Sequence, residues 1–135
     1  MAKALIYATG LLTKSNMPIA KYISSKANTD IFNLKDLMRL NLDAYDTIIL
    51  GTANNTGSPD KLVKEFVTNN KEVLQSKKTY LYVIISKEDE RTEEQVKSIA
   101  ETLGVADVVC FNKKSEQMNG SGVPSAVDDF IAKLE

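Results

Sequence analysis

Two short apolar runs constrain this chain more than any other feature. One is Ala4-Leu5-Ile6-Tyr7-Ala8-Thr9-Gly10, and the other is Tyr45-Asp46-Thr47-Ile48-Ile49-Leu50-Gly51-Thr52. Each ends in small and hydroxylic residues just before a helical pattern begins. A strand that is apolar on both faces must be covered on both, and in a parallel sheet helices do the covering. The stretches that follow, residues 9–16 and 52–58, are rich in Thr, Ser, Asn and Gly. They fall at the carboxyl ends of strands, the edge where open parallel sheets hold ligands.

The same reading continues along the chain. The pattern predicts strands over residues 4–8, 29–32, 47–51, 79–85 and 108–111. Between them, apolar residues recur at helical spacing. Ile19, Ala20, Tyr22 and Ile23 form one face, with Asn16 as a cap and Pro18 in the first turn. Leu34, Leu37, Met38 and Leu40 allow no more than a turn or two. Leu62, Val63, Phe66 and Val67 follow a Ser58-Pro59 helix start. Val96, Ile99, Ala100 and Leu103 follow Thr92 and Gln95, which are spaced as a capping box, and Gly104 ends that helix. Pro124 opens a last helix with Ala126, Val127, Phe130, Ile131 and Leu134 inward, after a loop over residues 112–122. Strands and helices in alternation make βαβ units, and right-handed crossovers turn them into an α/β, doubly wound sheet. A chain of 135 residues fits a single domain over 1–135.

Composition excludes much chemistry. With no histidine, there is no imidazole base and no Ser-His or Cys-His nucleophile pair. The one cysteine, Cys110, cannot form a disulfide within the chain, which suits the cytoplasm, and it reads as a buried strand residue rather than a nucleophile. A net charge of −1 gives no electrostatic footprint for nucleic acid or anionic lipid. No apolar run approaches membrane-spanning length. Lys14-Ser15 does not make a nucleotide P-loop, because Thr13 and Ala8 stand where its glycines are required. The tyrosines read as core or sheet-face residues. Glu88-Asp89-Glu90-Arg91 reads as a solvated charged turn leading to the Thr92 cap.

Several segments carry a family resemblance. They are Leu5-Ile6-Tyr7-Ala8-Thr9, Ala20-Lys21-Tyr22-Ile23, Phe32-Asn33-Leu34-Lys35-Asp36-Leu37, the run from Tyr45 to Thr52, Gly57-Ser58-Pro59, and Lys64-Glu65-Phe66. Together they make the chain resemble a short-chain flavodoxin, nearest the subgroup that includes the oxygen-independent protoporphyrinogen oxidases. The resemblance implies a flavodoxin-like sheet of five parallel strands in the order 2-1-3-4-5, in three layers. It also implies FMN bound at the carboxyl ends of strands 1, 3 and 4.

The implied site has three loops. Thr9, Gly10, Leu11, Thr13, Lys14, Ser15 and Asn16 would hold the phosphate at a helix N-terminus. Thr52, Ala53, Asn54, Asn55, Thr56 and Gly57 would face the ring edge. Ser86, Lys87, Glu88 and Asp89 would lie on its far side. The chain departs from the family pattern at Leu11 and Leu12, which stand where Thr and Gly are expected. The first loop is also about two residues longer by alignment, within the usual boundary error. Neither ring loop has an aromatic, a loss of roughly 1–3 kcal/mol per stacking partner by analogy with base stacking.

The resemblance implies an electron-transfer flavoprotein, monomeric or weakly dimeric. Its partner would be a redox protein or a small-molecule or quinone electron acceptor. The alternative is a flavin-free binding or regulatory module of the same fold.

Overall fold

A computed structural model describes residues 2–8, 16–36, 40–114 and 117–134. The elements alternate from the start: β1 (Lys3–Tyr7), α1 (Asn16–Ala27), β2 (Asp30–Asn33), β3 (Thr47–Ala53) and α2 (Lys61–Asn69). They continue with α3 (Lys71–Gln75), β4 (Lys78–Ile85), α4 (Glu90–Leu103), β5 (Asp107–Asn112) and α5 (Ala126–Lys133). The five strands form one sheet in the order β2-β1-β3-β4-β5, and every pairing is parallel. This is the doubly wound order expected.

Strand alternation divides the interior into two cores. Ile6, Ile48, Leu50, Leu81 and Val83 point to the side covered by Val63 and Phe66 of α2 and Val96 and Ile99 of α4. Leu5, Ile49, Tyr80, Tyr82 and Ile84 point to the side covered by Ile19 and Ile23 of α1 and Val127 and Phe130 of α5. Burial of both strand faces is why the runs carry no alternation of polar residues. The second core holds an aromatic cluster. Tyr82 and Phe111 lie 5.3 Å apart, Phe111 and Phe130 5.8 Å, and Tyr80 and Phe130 6.0 Å. Such edge and offset contacts add directional packing to area burial.

Several boundaries differ from the sequence reading, each for a local reason. α2 begins at Lys61 rather than at Ser58-Pro59, because Ser58 pairs with Asn55 in an isolated bridge. α4 begins at Glu90 because the Asp89 carboxylate accepts from the Thr92 amide at 2.8 Å. A charged acceptor outcompetes the hydroxyl of Thr92, which therefore lies inside the helix, and the capping box is unused. α5 begins at Ala126, since Pro124 bridges to Met118, and Ala126 is exposed rather than inward, because only Val127, Phe130 and Ile131 of this helix face the core. Helix α3 was not expected. Gly104 ends α4 as predicted, with φ of 69°. Cys110 is exposed rather than buried, because β5 is an edge strand. Partial burial, and then Glu88 and Glu93, push its thiol up, away from thiolate. Leu37 and Met38 lie outside the described residues.

Candidate functional site

The loop after β3 is built by Asp60, which the sequence reading did not single out. Its carboxylate is buried and accepts from the Ala53 amide at 3.2 Å and from Asn55 Nδ2 at 2.9 Å. Its own amide donates to Thr52 Oγ1 at 2.7 Å, and that hydroxyl donates to the Ala53 carbonyl at 3.1 Å. Thr52 is fully buried in this network. Between these anchors the chain turns back on itself. Asn55 and Ser58 exchange backbone hydrogen bonds of 3.0 and 3.2 Å around Thr56 (φ 54°) and Gly57 (φ 89°). Two positive φ values in succession make a type I′ turn.

Thr56 is β-branched and poorly suited to the left-handed region. Thr56→Asn, which makes the preferred Asn-Gly turn, is expected to stabilise the protein by about 0.5–1 kcal/mol. Urea unfolding reads this as a higher midpoint. A lower midpoint would mean that contacts of the threonine side chain outweigh the strain.

A second set of contacts ties this loop to α4. Asn54 Nδ2 donates to Gln95 Oε1 at 2.9 Å, and Asn54 Oδ1 accepts from the Gly57 amide at 2.8 Å. Between the two loops lies a cleft of about 360 Å³ at the carboxyl ends of β3 and β4. Ala53, Asn54, Asn55 and Thr56 form one wall, and Ile84 and Ile85 also line the cleft. Ser86, Lys87 and Asp89 contribute from the loop after β4, Arg91, Thr92 and Gln95 from α4, and Lys113 from just beyond β5.

Among the described residues, three cations therefore border the cleft against one carboxylate, that of Asp89. The Thr92 backbone amide, with Lys87 and Arg91 nearby, holds that carboxyl below its ordinary range. Glu88 does not line the cleft, and its Oε2 accepts from Asn112 Nδ2 at 3.0 Å. The expected acidic character of this turn is thus replaced, at the cleft itself, by Lys87 and Arg91. None of the cleft-lining residues is aromatic. The sequence reading missed Arg91, Gln95 and Lys113. The spacing of four between Arg91 and Gln95, which puts them on one helix face, was the available signal for that pair.

The third part of the site is at the start of α1. Thr9, Gly10, Leu11, Thr13, Lys14 and Ser15 lie outside the described residues. Asn16, the first residue of α1, is fully buried. It stands inside the helix rather than capping it, and its side chain turns to the sheet instead of to a helix amide. Its Oδ1 accepts from the Tyr82 hydroxyl at 2.6 Å, while its Nδ2 has no hydrogen-bond partner among the described residues. Tyr82 reaches it across β3 because Gly51, its register partner, has no side chain.

Burial, and then the nearby Tyr7 and Asp60, push the Tyr82 phenol well above its ordinary value of 10.0. Below that value the phenol is neutral in both folded and unfolded chains, and its contribution is constant. Above it the unfolded chain loses a proton that the folded chain keeps. Stability then falls by about 1.4 kcal/mol per pH unit. Tyr7, Tyr22 and Tyr45 are also raised, so the test is a difference. Tyr82→Phe is expected to flatten the stability–pH curve above about pH 10 by that slope. Equal slopes in both proteins would show that Tyr82 is not held neutral.

No helix among the described residues is long and apolar enough to cross a membrane. Among them no cluster of acidic or sulfur ligands could hold a metal ion.

A family model described as a flavodoxin domain matches residues 15–117. No curated protein matches. Among solved structures, a WrbA-like flavodoxin protein from Agrobacterium tumefaciens superposes with a TM-score of 0.70 at 16% identity, over 98% of this chain and 94% of that one. Oxidised flavodoxin 1 from Bacillus cereus gives 0.66 at 15% identity, over 99% and 97%. A Fusobacterium nucleatum flavodoxin bound to flavin mononucleotide gives 0.60 at 14% identity, over 98% and 96%. These likenesses establish the fold.

Proposed function

The chain belongs to the flavodoxin domain family, and from that premise we propose that it binds FMN non-covalently and passes electrons to a redox protein or a small-molecule or quinone acceptor. The observation that carries this reading is the cleft between the loops after β3 and β4, at the strand ends, together with a buried donor at the start of α1 that has no partner among the described residues. The residues present fit the cofactor. Asn16 Nδ2 would donate to its phosphate, with Thr9, Gly10, Leu11, Thr13, Lys14 and Ser15 alongside. Asn54, Asn55 and Thr56 on one wall, and Ser86, Lys87 and Asp89 on the other, would flank the ring. The Asp60 network and the Asn54–Gln95 bond hold that first wall in place. When bound, FMN supplies the one- or two-electron chemistry, and the protein supplies position and field. The absence of aromatics from the cleft favours a second reading, a flavin-free module of the same fold.

The visible spectrum of the purified protein, followed by titration with FMN, separates the two. Flavin absorbance, or quenching of added flavin in the micromolar range, is expected. A colourless protein that ignores FMN at high micromolar concentration would leave only the flavin-free module. Thr13→Asp with Ser15→Asp should repel phosphate and weaken FMN at least tenfold, about 1.4 kcal/mol. Unchanged affinity would put the phosphate elsewhere.

A further inference from the structure

We propose that Tyr82 is a positioning residue for phosphate, acting through Asn16. Its phenol fixes the Asn16 side-chain amide so that Nδ2 is presented as a donor to a phosphate group. The proposal rests on the flavin reading only for what carries the phosphate.

Both residues are fully buried, and their contact is a single hydrogen bond of 2.6 Å. A phenol has one proton to give, and a carboxamide nitrogen cannot accept it. While Tyr82 donates, the amide must therefore offer its oxygen to Tyr82 and direct its NH₂ group elsewhere. That NH₂ is without a partner among the described residues. A buried donor left unpaired requires a reason, and a ligand is one. The location supplies the charge preference. α1 is 12 residues long, has no acidic residue in its first turn, and Asn16 stands at its positive end.

The phenol's own orientation does not depend on a ligand. The ring lies over Gly51 and packs against Phe111 and Phe130, with centroids at 5.3 and 6.4 Å. Removing only the hydroxyl therefore keeps the packing and frees the amide to rotate. A merely structural tyrosine would affect every ligand of the site alike. A positioning tyrosine affects only ligands that carry phosphate.

FMN and riboflavin share the ring and differ in the phosphate, so the test compares their dissociation constants. The proteins are the wild type, Tyr82→Phe, Asn16→Ala and the double variant. Tyr82→Phe is expected to weaken FMN about tenfold and leave riboflavin within about twofold, the range for one charge-assisted hydrogen bond. In the Asn16→Ala background it should add nothing to the FMN loss. Equal losses for both ligands, or none for either, would overturn the proposal. If Asn16→Ala does not fold, the FMN-to-riboflavin ratio of Tyr82→Phe alone decides.

If the wild type binds neither flavin, the flavin reading fails by itself, and inorganic phosphate becomes the probe. The Asn16 side-chain NH₂ resonances should then move on phosphate titration, and require more phosphate in Tyr82→Phe. Resonances that stay still, or move alike in both proteins, would overturn the proposal.

Discussion

Gly51→Ala is expected to destabilise the protein by about 3 kcal/mol, the upper part of the usual overpacking range. A Cβ built on Gly51 would stand 2.6 Å from Tyr82 Cε2 and nearer still to Cζ and the hydroxyl oxygen. The ring has no free direction in which to retreat. Tyr82 is fully buried, with Phe111 and Phe130 against it and Asn16 at its tip. For a domain of this size the loss corresponds to a fall in melting temperature of roughly 10 °C. The mechanism has its own signature. In a Tyr82→Leu background the collision is gone, so Gly51→Ala should cost less than about 1 kcal/mol, a coupling of about 2 kcal/mol. Additive losses would mean that the methyl group meets something other than the phenol.

Asp60→Ala is expected to cost about 3 kcal/mol and to loosen the wall of the cleft. The substitution removes the acceptor for the Ala53 amide and for Asn55 Nδ2. Ala53 is buried, so its amide gains no water in exchange. Hydrogen bonds to a charged group contribute about 1.5–3 kcal/mol each, and an orphaned buried donor costs a comparable amount. Asp60→Asn keeps one acceptor oxygen and should recover about half of the loss. Urea unfolding gives the stability, and hydrogen exchange at the Ala53 amide gives the local effect. An Ala53 amide protected equally in wild type and Asp60→Ala would refute the account. This carboxylate is one of two anchors of residues 53–58, the Asn54–Gln95 bond being the other, so on the proposed reading FMN affinity should fall with it.

The sheet was legible because its information is local. Runs such as Ile48-Ile49-Leu50 and Leu81-Tyr82-Val83-Ile84 are apolar throughout, and only strands covered on both faces need that. Gly104 was legible for the same reason, since a left-handed helix end favours glycine. Non-local pairings were hidden. The partner of Tyr82 is 66 residues away in Asn16, and the partner of Gln95 is 41 residues away in Asn54. From the sequence each residue had an adequate local role, as core tyrosine, helix cap, box glutamine or turn asparagine. Asp89 shows how two acceptable local answers compete, because both it and Thr92 are cap residues and only the carboxylate wins. The exposure of Cys110 depended on the strand order, which puts β5 at an edge, and no property of its own segment encodes that.

The glycine under the Tyr82 ring also bears on how the chain finds one sheet and not a neighbouring one. Parallel strands that slide past each other by two residues keep every side chain on its own face, so burial alone discriminates weakly against such a slip. Here Tyr82 sits opposite Gly51, and a two-residue slip would set it opposite Ile49 or Ala53. Both carry a Cβ where the phenol must lie. The vacancy at Gly51 thus acts as a keyhole that admits one alignment of β3 with β4. The same alignment carries the tyrosine to Asn16.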